Sequence, residues 1–417
     1  MKILILGLNY APERVGIAVY TSGMAEALVA MGHEVQVIAG RPYYPAWRIM
    51  EGHSAVSYGR TTENAVDITR VPHYIPRDPS GIKRLLHHAS FALAALFPML
   101  GRGLGWRPDV VVTVAPSLIA APLARLAASL CGAQSWLHIQ DFEVEAAFAT
   151  GLLKEQSWLG ALALRFERYV MAKFDRISTI SPQMCRRLGE KGIDQRRIVE
   201  FRNWSDIEAV QPLATPSRYR ADWGVTTPQV ALYSGNIANK QGIEVVIKAA
   251  RLLRDRKDLS FIVCGEGPNR ANLEAQAVGL TNIQFQDLQP KERLSELLGL
   301  ATIHLLPQIA EAADLLLPSK LTNMLATGRP VVATALPGTG LHGEVDGCGL
   351  LVTPEDAEAF AAAIAHLCDN AILHQQLGAA ARVRAETRWS GATTLPALER
   401  ELTNLVVNKF SLSRSTQ

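Results

Sequence analysis

Apolar and polar positions along the chain fall into two successive series. The first opens on KILILGL, an unbroken apolar run of strand length, and passes through a Gly-bearing loop into IAVYTSGMAEALVAM. There Ile17, Tyr20, Met24, Leu28 and Met31 recur at helical spacing, and Gly32 stops the helix they predict. EVQVIAG reads as the next strand, followed by strands over 109–115, 135–140, 176–181 and 197–203, with helical segments between most of them. The pattern then restarts with strands over 230–236, 260–267, 282–288, 302–307 and 329–335. Runs that are apolar throughout belong to strands buried on both faces, so both sheets are expected to be mainly parallel. The proline-bearing, aperiodic stretch Ser205 to Gly224 reads as the linker.

The expected fold class is α/β, with two tandem Rossmann-like, doubly wound domains over 1–205 and 206–389. A C-terminal helix and tail over 390–417 is expected to pack back on the N-terminal domain. In such sheets ligands bind beyond the carboxyl ends of the strands, which makes the cleft between the domains the expected site.

Composition narrows the choice. A chain of 417 residues, 48% hydrophobic and 19% charged, fits a soluble protein with large buried sheets. A net charge of +3 implies no broad nucleic-acid-binding surface. The five cysteines lack any C-x-x-C pair, which argues for a reducing compartment and against a zinc site. MKILILGLNYAPE is not patterned as a signal peptide, and the longest apolar stretch, Ala89 to Leu100, is 12 residues with a proline inside. Spanning a bilayer takes about 20, so a cytoplasmic protein is expected. The segment Gly81 to Gly103 starts basic and continues apolar, which suggests peripheral attachment to a membrane.

The candidate chemistry sits where strands end. In PSKLTNMLATGRPVV, Ser319 is a good N-cap, Leu321, Met324 and Leu325 supply an apolar helix face, and Gly328 closes the helix. Lys320 stands in the first turn, against the helix dipole, where free amides and an ammonium together suit a phosphate. A snorkelling surface lysine is the structural alternative. In YSGNIANKQGIEVVIKAA, Gly235 lets the chain turn after its strand, and Lys240 lies just before the helix that Gln241–Gly242 opens. Together the two lysines read as a diphosphate clamp.

In the first half, Gly16 falls at the first strand-to-helix turn, where backbone approaches a ligand closely. SWLHIQDFEVEAAF places His138 and Gln140 on one strand face with Asp141 beyond its end. The one G-x-G-x-x-G match, Gly338 to Gly343, leads into EVDGCG rather than a helix and is rejected as a dinucleotide fingerprint. No D-x-D occurs, and no His/Cys cluster has metal-ligand spacing, so no metal site is expected.

These landmarks, with GHEVQVIAG, WRPDVVVTVAPS, FRNWSD, CGEGPNRANLE and GLLVTPED in order across nearly the whole chain, resemble the retaining glycosyltransferases of family 4, which have the GT-B fold. NYAPERVGIAVYTSG, RPYYPAW and HIQDFEVEAAF look most like the subgroup that acts in colanic acid biosynthesis.

The resemblance implies transfer of a sugar from a nucleoside diphosphate sugar with retention, in that subgroup from GDP-fucose. The acceptor it implies is a lipid-diphosphate-linked saccharide at the inner face of the inner membrane. Carried over, it gives Lys240 and the loop Pro318–Ser319–Lys320, with Leu321, to the donor diphosphate, and Gly235, Asn236 and Glu266 to the donor side. Gly16 and Ile17 would lie beside the donor sugar and its phosphates. Position 138 or 140 would approach the transferred sugar, with Asp141 next to it as a further catalytic candidate.

The chain departs from the family pattern at Asn236, where many members have arginine, and at Leu315 and Asn323, where the family has two glutamates. Asn323 is the substitute candidate for ribose recognition. Lysines and helix dipoles would stabilise the leaving diphosphate in place of a metal, and no other cofactor is implied. A sugar-nucleotide 2-epimerase of the same fold and a non-enzymatic two-lobed sugar-binding protein are the competing readings.

Overall fold

The run Lys2–Gly7 forms β1 near the middle of an eight-stranded sheet, because nearly every side chain along it is apolar and both faces are covered. The structure, a computed structural model, describes all residues except 14–15, 55, 150–152, 155, 206, 238–240, 310–319 and 415–417. The chain divides into two compact units: residues 1–203 with 394–417, and residues 204–393.

In unit 1 the further strands are β2 (Glu34–Ala39), β3 (Gly59–Glu63), β4 (Val66–Arg70), β5 (Val110–Ala115), β6 (Gln134–Ile139), β7 (Arg176–Thr179) and β8 (Ile198–Glu200). Their order is β3-β4-β2-β1-β5-β6-β7-β8, parallel throughout except for β3 against β4. The helices are α1 (Ile17–Ala30), α2 (Gly81–Trp106), α3 (Ala121–Cys131), α4 (Glu143–Ala149), α5 (Trp158–Ala172) and α6 (Pro182–Glu190).

Phe91, Ala95 and Met99 of α2 and Ala124 and Ala127 of α3 share a core with Leu4, Leu6 and Val111. Ala121 of α3 and Val170 and Met171 of α5 share the next with Leu137 and Ile139. Val111 is in register with Ser135, two residues before Leu137, so α2, α3 and α5 cover the same sheet face. The C-terminal segment is tied to this unit by a 3.2 Å contact between His33 Nε2 and Glu399 Oε1 and by Lys409 donating to the Gly132 carbonyl.

Unit 2 carries α7 (Tyr219–Asp222), β9 (Gln229–Ser234), α8 (Glu244–Leu252), β10 (Leu259–Cys264), α9 (Arg270–Gln276), β11 (Ile283–Gln286) and α10 (Leu294–Leu298). It continues with β12 (Ile303–Leu306), α11 (Lys320–Ala326), β13 (Val331–Thr334), α12 (Gly340–Val345), β14 (Gly349–Val352), α13 (Ala357–Asp369) and α14 (Ala371–Arg388), and α15 (Gly391–Arg414) follows. The sheet order β11-β10-β9-β12-β13-β14 is all parallel.

Both sheets reverse strand order once, between β1 and β5 and between β9 and β12, the place where sheets of this kind bind ligands at their strand carboxyl ends.

Four expectations change. Residues 205–224 are no loose linker: Ile207 and Val210 are buried with Met324 and Leu325, and Tyr219 is buried beside Trp223. The polar hairpin β3–β4 and the short β14 went unread as strands. A short helix, α12, does follow β13 in the Gly338–Gly343 stretch, because Thr339 accepts from the His342 amide as its N-cap. Finally, α8 opens at Glu244 rather than at Gln241–Gly242.

Candidate functional site

Unit 2 builds its part of the site by pressing two glycine loops together. After β9 the chain turns at Gly235, with φ 135°, and after β10 it turns at Gly265 and Gly267, with φ 148° and 157°. A Cβ on Gly265 would stand 1.9 Å from the Gly235 carbonyl oxygen, and one on Gly267 would stand 2.2 Å from that of Ile237. Only glycine fits either place. The loops are laced by Gly235 N–H donating to the Cys264 carbonyl (3.0 Å) and Ile237 N–H donating to the Glu266 carbonyl (2.8 Å).

Across this floor lies Lys320. Its Cδ and Nζ are 3.5 and 3.6 Å from where a Gly235 Cβ would be, so the missing side chain makes its slot. The ammonium sits 4.0 Å from the centroid of the Tyr233 ring. Nζ is buried and has no hydrogen-bond partner among the described residues. Burial lowers its pKa to about 7. The neighbouring Tyr233 hydroxyl is committed elsewhere, donating to the Asn236 carbonyl at 2.5 Å.

Behind Lys320 the apolar face of α11 is buried as its spacing predicts, with Leu321, Met324 and Leu325 fully covered. Asn323 is half-buried and Asn236 exposed. Glu266 is exposed and accepts from Arg270 Nη1 at 2.9 Å, so an arginine already claims its charge. Lys240, Pro318, Ser319 and Leu315 lie outside the described residues.

In unit 1, Gly16 has φ 65° and serves as the N-cap of α1 without a side-chain cap, next to half-buried Ile17. His138, 2% exposed, has both ring nitrogens engaged. Gln140 Nε2 lies 3.0 Å from His138 Nε2, so the ring carries its proton on Nδ1 and donates to Ser178 Oγ at 2.9 Å. Gln140 and Asn203 exchange a reciprocal amide pair at 2.8 and 2.9 Å. Burial drops the His138 pKa to about 3, so the ring is neutral. It therefore orients Gln140 instead of offering a free nitrogen. Asp141 follows at the exposed end of β6.

Three features of unit 1 escaped the sequence. Buried Glu13 accepts from the backbone amides of Tyr43 and Tyr44 at 2.8 and 2.9 Å and from Asn9 Nδ2 at 2.9 Å, and so fixes the loop after β2. Glu143, pushed up to about pKa 7 by burial, accepts from the Ser117 and Leu118 amides after β5.

The third is an aromatic cluster in which the rings of Tyr43, Trp47, His73 and His87 stand 4.7–5.6 Å apart. Beside it the buried guanidinium of Arg41 has no partner at Nε or Nη2, and neither has His73 Nε2 or His87 Nε2, among the described residues. Only RPYYPAW hinted at this, and a single histidine or tyrosine carries no periodic signal. Among the described residues no group of three or more His, Cys, Asp or Glu is placed to hold a metal ion.

Known proteins resemble this chain in sequence and fold. Residues 15–204 match the family model "Glycosyl transferase 4-like domain", and residues 228–370 match "Glycosyl transferases group 1". The chain is 43% identical over 374 residues to the Escherichia coli K12 protein named "Putative colanic acid biosynthesis glycosyl transferase WcaI", covering 87% of this chain and 91% of that one. A "Probable glycosyltransferase WbjE" of Pseudomonas aeruginosa is 27% identical over 278 residues, 63% of this chain and 67% of that one.

Among solved structures, the sucrose-phosphate synthase of Thermosynechococcus elongatus superposes with TM-score 0.66 at 18% identity, covering 98% of this chain and 99% of that one. Anabaena Alr3699/HepE in complex with UDP gives 0.65 at 15% identity, covering 97% and 100%. With two parallel-sheet units and these matches along its length, the chain belongs to the group 1, glycosyltransferase-4-like family of glycosyltransferases and has their GT-B fold.

Proposed function

We propose that this glycosyltransferase takes its sugar from a nucleoside diphosphate sugar whose diphosphate binds at Lys320. The observation that carries the reading is the buried Lys320 ammonium at the β9/β12 strand-order reversal, which has no partner among the described residues. A buried cation without an anion is unfavourable, and a donor diphosphate supplies the missing charge. Bond breaking concentrates negative charge on the leaving diphosphate, so a preorganised ammonium favours the transition state over the bound donor. Lys240 as the second cation, with Pro318 and Ser319, is assigned to the same diphosphate by the family resemblance. Gly16, Ile17 and Gln140, the last held by His138 and Asn203, attend the transferred sugar.

We propose retention at the anomeric carbon, no requirement for a divalent metal, and GDP-fucose as donor. The acceptor is a lipid-diphosphate-linked saccharide at the cytoplasmic face of the inner membrane, in the assembly of a colanic-acid-like exopolysaccharide. The 43% identical relative, by its name, supports the polymer class.

The test is incubation of the full chain with nucleotide sugars in excess EDTA, with and without lipid-linked acceptor, following nucleoside diphosphate and the anomer formed. Acceptor-dependent release of diphosphate with retained configuration is expected. Donor conversion without any acceptor would favour the epimerase.

A further inference from the structure

Unit 1 buries two arginines at the carboxyl ends of its strands. Arg70 closes β4, Arg41 follows β2 by two residues, and Ala39 of β2 is in register with Arg70. Both arginines are 2% exposed. Among the described residues Arg41 has no partner at Nε or Nη2, and Arg70 has none at Nε. Arg70 donates from Nη1 to the Gly40 carbonyl at 3.3 Å and from Nη2 to that of Ala11, and its guanidinium lies 5.4 Å from the centroid of the Tyr10 ring. Neither arginine forms an ion pair with a described residue. The two carboxylates whose charge reaches Arg70 are engaged elsewhere: Glu63 accepts from Thr61 Oγ1 at 3.1 Å, and Glu13 accepts from the Tyr43 and Tyr44 amides. Burying cations without an anion is unfavourable, so the absence calls for a reason.

A third donor stands with them. His73 Nδ1 lies 3.3 Å from the Arg41 amide nitrogen and 3.4 Å from the Val71 carbonyl oxygen. The amide can only donate, so Nδ1 accepts from it and the neutral ring carries its proton on Nε2. That N–H has no partner among the described residues. Gly40 lets the ring in, since a Cβ there would stand 2.9 Å from His73 Cε1. Burial is the main reason that Arg70 and His73 hold protons weakly, and the Arg41 charge adds to it in both, which sets the three close together. His87 is turned the other way: its Nδ1 donates to the Tyr74 carbonyl at 2.5 Å, so its open Nε2 is an acceptor and has no part in holding an anion. The same loop reaches the start of α1, where the Tyr44 ring comes within 3.8 Å of where a Gly16 Cβ would be.

We propose that Arg41 and Arg70, with the His73 Nε2–H, form a site in unit 1 that binds a phosphoryl group, the diphosphate that joins the acceptor saccharide to its lipid. A guanidinium fork matches phosphate oxygens, and Arg41 has Nε and Nη2 open for two of them. Arg70, fixed by the Gly40 and Ala11 carbonyls, offers Nε from a set position. Two buried cations suit a group of about two negative charges better than the single charge of a carboxylate. The place fits an acceptor, because the Gly16 turn beside it attends the transferred sugar in the function proposed above. The inference rests on the reading of a lipid-diphosphate-linked acceptor for the source of the phosphoryl group, and the site itself is tested without that acceptor.

The test is titration calorimetry of the full chain carrying Lys240→Ala and Lys320→Ala, which removes both lysines of the proposed donor site, with inorganic pyrophosphate and separately with glucuronate. Pyrophosphate is expected to bind and glucuronate to bind far more weakly. Adding Arg41→Met should weaken pyrophosphate roughly 10–100-fold, the range for losing hydrogen bonds to a charged group. Arg41→Lys keeps the charge without the fork and should fall between the two. Without ligand, Arg41→Met should melt at the parental temperature or above it, because the guanidinium it removes has no bond to a described residue. With Lys240 and Lys320 intact, Arg41→Met should raise KM for a lipid-diphosphate-linked saccharide and leave KM for the nucleotide sugar unchanged. Absent pyrophosphate binding, binding untouched by Arg41→Met, glucuronate held as tightly, or a variant whose main effect is a lower melting temperature would overturn the site. Turnover of the parent with the lipid-linked saccharide reports the acceptor reading separately: its absence sinks that reading, while pyrophosphate binding through Arg41 upholds the site.

Discussion

The Lys320 ammonium lies 4.0 Å from the centroid of the Tyr233 ring, and no described residue offers it an anion or a carbonyl. The ring face attracts a desolvated cation by about 2 kcal/mol. That is less than the several kcal/mol of effective penalty for burying an ion. The site is therefore held in an unfavourable state that a bound anion relieves, a form of stability given up for function.

From this follows a stability prediction. The folded chain holds the Lys320 proton less tightly than the unfolded chain, with a pKa near 7 against 10.5. Stability from this group is thus lowest and flat below pH 7 and rises with pH between about 7 and 10.5. Lys320→Met should raise the melting temperature at pH 7 by roughly 2–8 °C, the shift for about 1–2 kcal/mol. That gain should shrink toward pH 10, as differential scanning calorimetry across pH would show.

Ligand binding should follow the same proton. A diphosphate needs Lys320 charged, so binding above pH 7 takes a proton up, and affinity should fall by up to tenfold per pH unit from about 7 to 9. Titration calorimetry with GDP and UDP in buffers of different ionisation enthalpy measures that uptake. In Lys320→Ala the pH dependence should vanish.

The framework was largely legible in the sequence, because β1, β5, β9 and β10 are mostly apolar on both faces, the pattern of strands buried on both sides. β3 was not, since Gly-Arg-Thr-Thr-Glu has no apolar position and pairs only at a sheet edge. Lys320 was legible as a cation out of place at a helix start. Its burial against Tyr233 was not, because that depends on Gly235, 85 residues earlier, leaving a slot. His138 was read as a group facing a ligand, and its bonds to Ser178 and Gln140 appear only when β6 and β7 lie side by side.

The glycine floor makes a prediction about folding. Gly265→Ala places a methyl 1.9 Å from the Gly235 carbonyl at a φ of 148°, where no side chain can give way. A loss of about 3 kcal/mol or more is expected. Urea unfolding should show it, with donor binding lost together with stability.

Buried histidines should make the chain acid-sensitive. Burial lowers His73, His138 and His304 to about pKa 3 and His88 to about 4. The unfolded chain takes up protons at these groups below the ordinary 6.5 while the folded chain does not, so stability falls as pH drops from about 6.5 toward 4. The slope should approach about 1.4 kcal/mol per pH unit for each group. His138→Gln should reduce it, and the His138 ring should show no titration between pH 5 and 8 by NMR.

The most direct measurement is the turnover of Lys320→Ala with saturating nucleotide sugar and acceptor. If Lys320 stabilises the leaving diphosphate, kcat should fall roughly 10²–10³-fold, the range for removing one preorganised charge-stabilising group, while the variant stays folded and at least as stable as the parent. A variant that turns over at the parental rate would contradict the account and leave Lys320 as a residue of the fold alone.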